Sequence, residues 1–197
     1  PHARGEHLDT RQLEATQTFM VDRMADIGAT LAARVDTQIG LVATGAQGVS
    51  EAVGEIEQAF ESGGAAGGRG RVNTIVRTEL GRAFSAAGDQ RLRAAKARLP
   101  GLKKQWRRSG KVFSRTNHDL TDGQVRETEE TFNVGGVGLK YPRDPRGPAA
   151  ETVNCGCTSL PFMDRWVMHR PETQPFSRAE IERSPRKRDI EAARDGG

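Results

Sequence analysis

Cys155 and Cys157 are the two cysteines of the chain and flank a single residue in Asn154-Cys155-Gly156-Cys157. A disulfide between positions this close is strained, so the pair reads as two free thiols or two metal ligands. Zinc takes four ligands of the Cys, His and carboxylate kinds. His118, with one of Asp119, Asp122 or His169, would join Cys155 and Cys157 in such a set. No finger or ribbon spacing is present, and the alternative is that both cysteines serve as small core hydrophobes.

A second candidate is acid/base chemistry, since an imidazole beside a carboxylate moves protons near neutral pH. Arg77-Thr78-Glu79 and His118 supply the residue types. An Arg and a Glu two apart do not share a helix face, so a separate salt bridge or hydrogen bond is expected of each of Arg77 and Glu79. No nucleophile elbow, phosphate-binding glycine loop or metalloprotease helix pattern occurs. Gly135-Gly136-Val137-Gly138 has no helix after it and reads as a turn.

The third candidate is polyanion binding. The net charge of +4 hides an asymmetry, because residues 69 to 115 carry 14 Lys or Arg against only Glu79 and Asp89. A block of this kind attracts phosphate backbones through counterion release, or an acidic protein surface. The contact residues expected on this basis are Arg91, Arg93, Lys96, Arg98, Lys103, Lys104, Arg107, Arg108, Lys111 and Arg115. Trp106 stands among them, and its ring is expected in the core rather than stacked on a base.

The elements that must position these residues follow from periodicity. Leu13, Met20, Met24, Ile27, Leu31 and Val35 form one helical stripe, and Val49, Val53, Ile56 and Phe60 a second. Between them lie Gly40, Gly45 and Gly48, each of which weakens a helix by about 1 kcal/mol relative to Ala. The run from Ser62 to Gly70 carries no large side chain and reads as a hinge. Val72, Ile75, Val76, Leu80 and Phe84 restore helical spacing, which runs to about Arg98 before Pro100-Gly101. Short strands are expected in Leu102 to Arg108, Gln124 to Phe132 and Thr152 to Phe162, separated by Pro142, Pro145 and Pro148. Beyond Met163 one short helix near Arg178 to Arg194 is expected in a tail too poor in apolar residues to fold by itself.

The fold class is therefore α+β. It comprises an N-terminal helical arm (1–61), a glycine-rich hinge (62–70), a helix-plus-short-strand domain (71–163) and a charged, mostly extended tail (164–197). With 35% hydrophobic residues, 5% aromatic and 23 glycines, no single core fills the whole length. No run of 18 apolar residues exists, and residues 1–10 contain no apolar secretory segment, so no membrane partner is expected.

Several of these residues occur in a recognisable order: Arg77-Thr78-Glu79; Lys104 and Trp106; Arg115 with His118-Asp119-Leu120 and Asp122-Gly123; Phe132; Tyr141-Pro142-Arg143-Asp144-Pro145; Pro148-Ala149; Glu151; and Asn154-Cys155-Gly156-Cys157. Over residues 72 to 163 the chain resembles the phage Mu F-like minor head proteins, the head morphogenesis domain family. Two departures are Gly156, where the family usually has Arg, and the absence of an Asp between Ser109 and Ser114.

The resemblance implies a minor head protein of a tailed bacteriophage, assembled in the host cytoplasm and placed at the portal vertex or capsid interior. Its implied roles are head morphogenesis and DNA packaging or delivery. The implied partners are the portal protein, the major capsid protein or other inner-capsid components, and genomic double-stranded DNA. Related domains occur fused to toxins. A non-enzymatic role is expected, with Arg77, Glu79, Trp106, His118, Asp122, Gly123, Pro142, Pro145, Asn154, Cys155 and Cys157 stabilising the fold. The alternative is an injected nuclease or effector using His118 with Glu79 or a Cys-bound metal.

Overall fold

The computed structural model describes residues 29–62, 68–166 and 173–195. The stripe residues Leu13, Met20, Met24 and Ile27, the middle of the hinge (63–67) and His169 lie outside them. The architecture is α+β, with helices joined to small antiparallel sheets. The chain divides into two compact units, residues 1–87 and 88–197. The division falls inside a helix rather than at the glycine-rich segment, whose Ser62 and Gly68 to Gly70 are themselves helical.

In the first unit, α1 (Ala29–Ala43) and α2 (Val49–Ser62) are followed by the start of α3 (Gly68–Lys96). Val35, Ile39 and Val42 on α1 and Ala52, Ile56 and Ala59 on α2 repeat at four and three residues, so each helix turns one apolar stripe inward. Leu80 of α3 completes the core, flanked by Val53, Ile75 and Ala83. Gly45, at φ +76°, makes the turn between α1 and α2. Arg77 and Glu79 find different partners, the Asn73 side chain and the buried Arg82 guanidinium respectively.

The second unit is organised around β1 (Lys103–Arg107). It is the central strand of a three-stranded antiparallel sheet, between β2 (Val125–Glu127) and β5 (Thr158–Phe162). Lys104 faces Arg126 on one side and Pro161 on the other. Between β1 and β2 lies the short helix α4 (Thr116–Leu120), closed by Gly123, whose φ of +84° lets its N–H reach the Trp106 carbonyl at 2.9 Å. The segment expected to be one strand from Gln124 to Phe132 is two, β2 and β3 (Phe132–Val134), and β3 pairs with β4 (Val137–Leu139) across Gly135-Gly136. Both glycines have positive φ, the backbone a two-residue hairpin requires. Thr152, expected to begin a strand, ends the short helix α5 (Ala149–Thr152).

Trp106, Phe132, Val134, Leu139, Cys155 and Cys157 form the core of this unit. Trp106 is fully buried and edge-to-face with Phe132, their centroids 5.3 Å apart. Pro142 and Pro145 bracket Asp144, which accepts the Lys140 and Arg146 N–H groups at 2.8 and 3.1 Å.

The C-terminal segment departs most from expectation. It is not an extended tail: α6 (Arg178–Arg183) and α7 (Pro185–Asp195) belong to the second unit. Ser177 and Glu180 form a capping box that starts α6. Phe176 is buried beneath the cations of Arg108, Lys187 and Arg194, at 4.2, 5.1 and 5.2 Å from its ring centre. Ion pairs and cation–π contacts do here what an apolar stripe does elsewhere, which is why composition did not reveal the docking.

Candidate metal centre

α4 aims His118 into the core of the second unit, where its ring packs edge-to-face on Trp106 at 5.7 Å. Opposite it runs the loop Val153 to Cys157. Asn154, at φ +53°, turns the chain so that Cys155 and Cys157 both point inward, while Gly156 between them is exposed. Three cations hold the loop's carbonyls: Arg115 donates to Val153 at 2.7 Å, Lys111 to Asn154 at 2.8 Å and Arg143 to Cys157 at 3.0 Å. A Cβ at Gly156 would lie 2.8 Å from Ser109 Cβ, so the close approach of the loop to Ser109 favours glycine there.

His118 Nδ1 is 3.5 Å from Cys155 Sγ and 3.4 Å from Cys157 Sγ, and the three donor atoms lie within 4.8 Å of one another. Tetrahedral zinc with bonds of about 2.3 Å to sulfur and 2.0 Å to nitrogen separates an S and an N ligand by roughly 3.5 Å. Both cysteines are free. The arrangement could hold a metal ion.

The three groups set one another's protonation. The hydrogen bond from Cys157 lowers the Cys155 thiol most; burial opposes it, and His118 adds to the lowering. Cys157 is pushed up by the same shared hydrogen bond and by burial, so the pair gives up its first proton readily and its second reluctantly. The backbone at Cys157 and at Ser109 favours the charged form of Cys155 and of Cys157 respectively. Burial lowers His118, but its bonds to Cys155 and Glu151 outweigh this and hold it above its ordinary value.

The other expected ligands are engaged elsewhere. Asp119 accepts from Ser114 at 2.7 Å and lies 3.6 Å from Lys187. Asp122 accepts the Arg108 N–H at 2.9 Å and also binds the Gln174 N–H. The carboxylate partner of His118 is Glu151, with Oε2 at 2.9 Å from Nε2, rather than Glu79. Glu151 stands 33 residues from His118 in the chain, a separation at which spacing carries no signal.

The expected polyanion contacts need correction at two positions. Lys104 is fully buried, donating to the Lys140 carbonyl at 2.7 Å and paired with Asp89 at 3.2 Å. Arg108 is buried against Glu180. Arg93 pairs with Asp89, Lys96 with Glu127, Lys103 with Asp164 and Arg107 with Asp122. Arg115 is half-buried, and Arg91, Arg98 and Lys111 are exposed. The block therefore spends much of its charge inside its own domain, on its own Asp89 and on Asp122, Glu127, Asp164 and Glu180 from later in the chain.

Two relatives match parts of the chain. It is 35% identical over 120 residues, 58% of its length, to an uncharacterized protein, YqbB, of Bacillus subtilis strain 168. It is 34% identical over 90 residues, 46% of its length, to the NAD(+)-arginine ADP-ribosyltransferase EFV of Enterococcus faecalis. The matches span 37% and 18% of those proteins, so the chain covers well under half of either. No family model and no solved structure matches it. The expectation of a non-enzymatic protein is thereby corrected, since a stretch of this chain is shared with a protein named for an enzymatic activity.

Proposed function

We propose that residues 72 to 163 are a head-morphogenesis module of the phage Mu F type, built around a zinc ion held by His118, Cys155 and Cys157. Zinc there would cross-link α4 to the Val153–Cys157 loop. What carries the zinc reading is that one imidazole nitrogen lies at the N–S separations of tetrahedral zinc from two sulfurs that are 37 and 39 residues away in the chain. What supports the module reading is that the motif residues from Lys104 onward include Lys104, Trp106, His118, Asp122, Phe132, Pro142, Asp144, Cys155 and Cys157, buried in the second unit, while Arg77-Thr78-Glu79 belong to the first.

In this reading the protein resides in the virion, at the portal vertex or capsid interior. It engages the portal protein or inner capsid components and packaged DNA, and acts in head assembly and DNA packaging or delivery. DNA contact falls to exposed cations such as Arg91, Arg98 and Lys111 rather than to Lys104 or Arg108. Elemental analysis of the purified chain tests the metal, with one zinc per chain expected and loss of it in Cys157→Ser. Duplex DNA binding tests the contact: affinity should fall steeply with salt and weaken in Arg91→Glu/Arg98→Glu, and a flat salt response refutes it.

A second reading is favoured by the Enterococcus faecalis relative: the module belongs to a protein that also carries an enzymatic effector function. Incubating the protein with labelled NAD+ and an arginine-containing acceptor tests ADP-ribosyl transfer, and a nuclease assay on wild type and His118→Ala tests DNA cleavage. Absence of both activities removes this reading.

A further inference from the structure

Both carboxylate oxygens of Glu151 are used by consecutive residues of α4. Oε2 meets His118 Nε2 at 2.9 Å, and Oε1 accepts from Asn117 Nδ2 at 3.0 Å. The imidazole is thereby held with Nδ1 toward the two sulfurs. Metal-bound histidines commonly donate their second N–H to a carboxylate, which fixes the ring and strengthens the nitrogen as a donor.

Asn117 is itself seated against the β3–β4 turn. Gly135 has φ +58°, and a Cβ there would lie 2.1 Å from Asn117 Nδ2, so the amide occupies space that only glycine leaves. The hairpin is held in place beside α4 by its own bonds. Thr121 Oγ1 donates to the Asn133 carbonyl at 3.3 Å, and the Gln124 side chain accepts the Asn133 N–H at 2.7 Å. A chain of contacts thus runs from Gly135 through Asn117 and Glu151 to His118.

We infer that Glu151, seated by Asn117 in the space left at Gly135, is the positioning residue that sets the orientation and donor strength of His118 toward zinc. The inference rests on the zinc reading above.

The test is zinc affinity of the full chain, measured in competition with a chromophoric chelator. Glu151→Gln should weaken binding by about 10- to 100-fold, the usual effect of removing such a partner, and Glu151→Asp should recover part of the loss. Asn117→Ala and Gly135→Ala should each weaken binding through the same path. In the cobalt-loaded protein, Glu151→Gln should keep the thiolate charge-transfer bands and shift the ligand-field bands, a signature that general destabilisation does not produce. Affinity of Glu151→Gln within about twofold of wild type overturns the inference while leaving the zinc site standing. If Glu151→Gln does not fold, unchanged affinity in both Asn117→Ala and Gly135→Ala overturns it equally. A wild-type chain that takes up no stoichiometric zinc removes the underlying zinc reading, and the inference with it.

Discussion

Arg108 and Glu180 form a buried ion pair between β1's end and α6, 72 residues apart in the chain. The arginine also donates to the carbonyls of Gln174 at 3.2 Å and Pro175 at 2.6 Å, and Glu180 receives the Lys187 ammonium at 2.6 Å. Removing one member of a buried pair strands the other without a partner. Arg108→Ala should therefore cost about 3–5 kcal/mol in denaturant unfolding, whereas Arg108→Lys, which keeps a cation beside Glu180, should cost markedly less. Equal losses in the two variants would show that shape rather than charge secures the C-terminal helices.

The same pair sets a pH response. Burial pushes Glu180 up, but the Arg108 and Lys187 hydrogen bonds outweigh it and hold the carboxyl down at about 2, against an ordinary 4.5. A depressed carboxylate contributes stability that is complete above its unfolded value and disappears as pH falls through its folded one. Docking of α6 and α7 should thus begin to weaken below about pH 4.5 and be lost toward pH 2. Amide exchange across residues 178–195 follows it, and Glu180→Gln should remove this part of the acid response.

Lys104 separates a structural cation from a contact one. Burial lowers its ammonium below the ordinary value, while Asp89 partly restores it. Lys104→Ala leaves buried Asp89 with Arg93 as its remaining cation and should cost about 1.5–3 kcal/mol. Arg91→Ala, at an exposed site, should stay within about 0.5 kcal/mol. Thermal unfolding of the two variants checks the contrast, and similar shifts in both would place Lys104 outside the core.

Metal removal gives the fourth prediction. A ligand at a hundredfold excess over its Kd stabilises the folded state by about 2.7 kcal/mol, which for a domain of this size corresponds to roughly 10 °C in Tm. Chelation should lower the Tm of the wild-type chain on that scale and leave Cys157→Ser unaffected. An identical chelator effect on both proteins would sink the assignment of the ligands.

Local pattern was enough to place α2, α3 and the central strand, and to put helix where α6 and α7 lie; α4 and α5 were not expected, and α1 runs past Val35, where the expected stripe ended. The spacing of Val49, Val53 and Ile56 reports a helix face wherever that helix packs. Gly135-Gly136 could be read as a turn because only glycine takes two consecutive positive φ angles without cost. Cys155 and Cys157 mark a candidate site by being paired and the only cysteines of the sequence.

What the sequence could not supply was partnership. Whether Lys104 and Arg108 meet DNA or a carboxylate depends on Asp89 and Glu180, and that Glu151 rather than Glu79 faces His118 depends on where α5 comes to rest. Periodicity records how each element lies against a core, since backbone geometry repeats every few residues. Ion pairs and ligand sets join residues tens of positions apart, and only the folded chain decides which of many equally charged candidates ends up within about 3 Å.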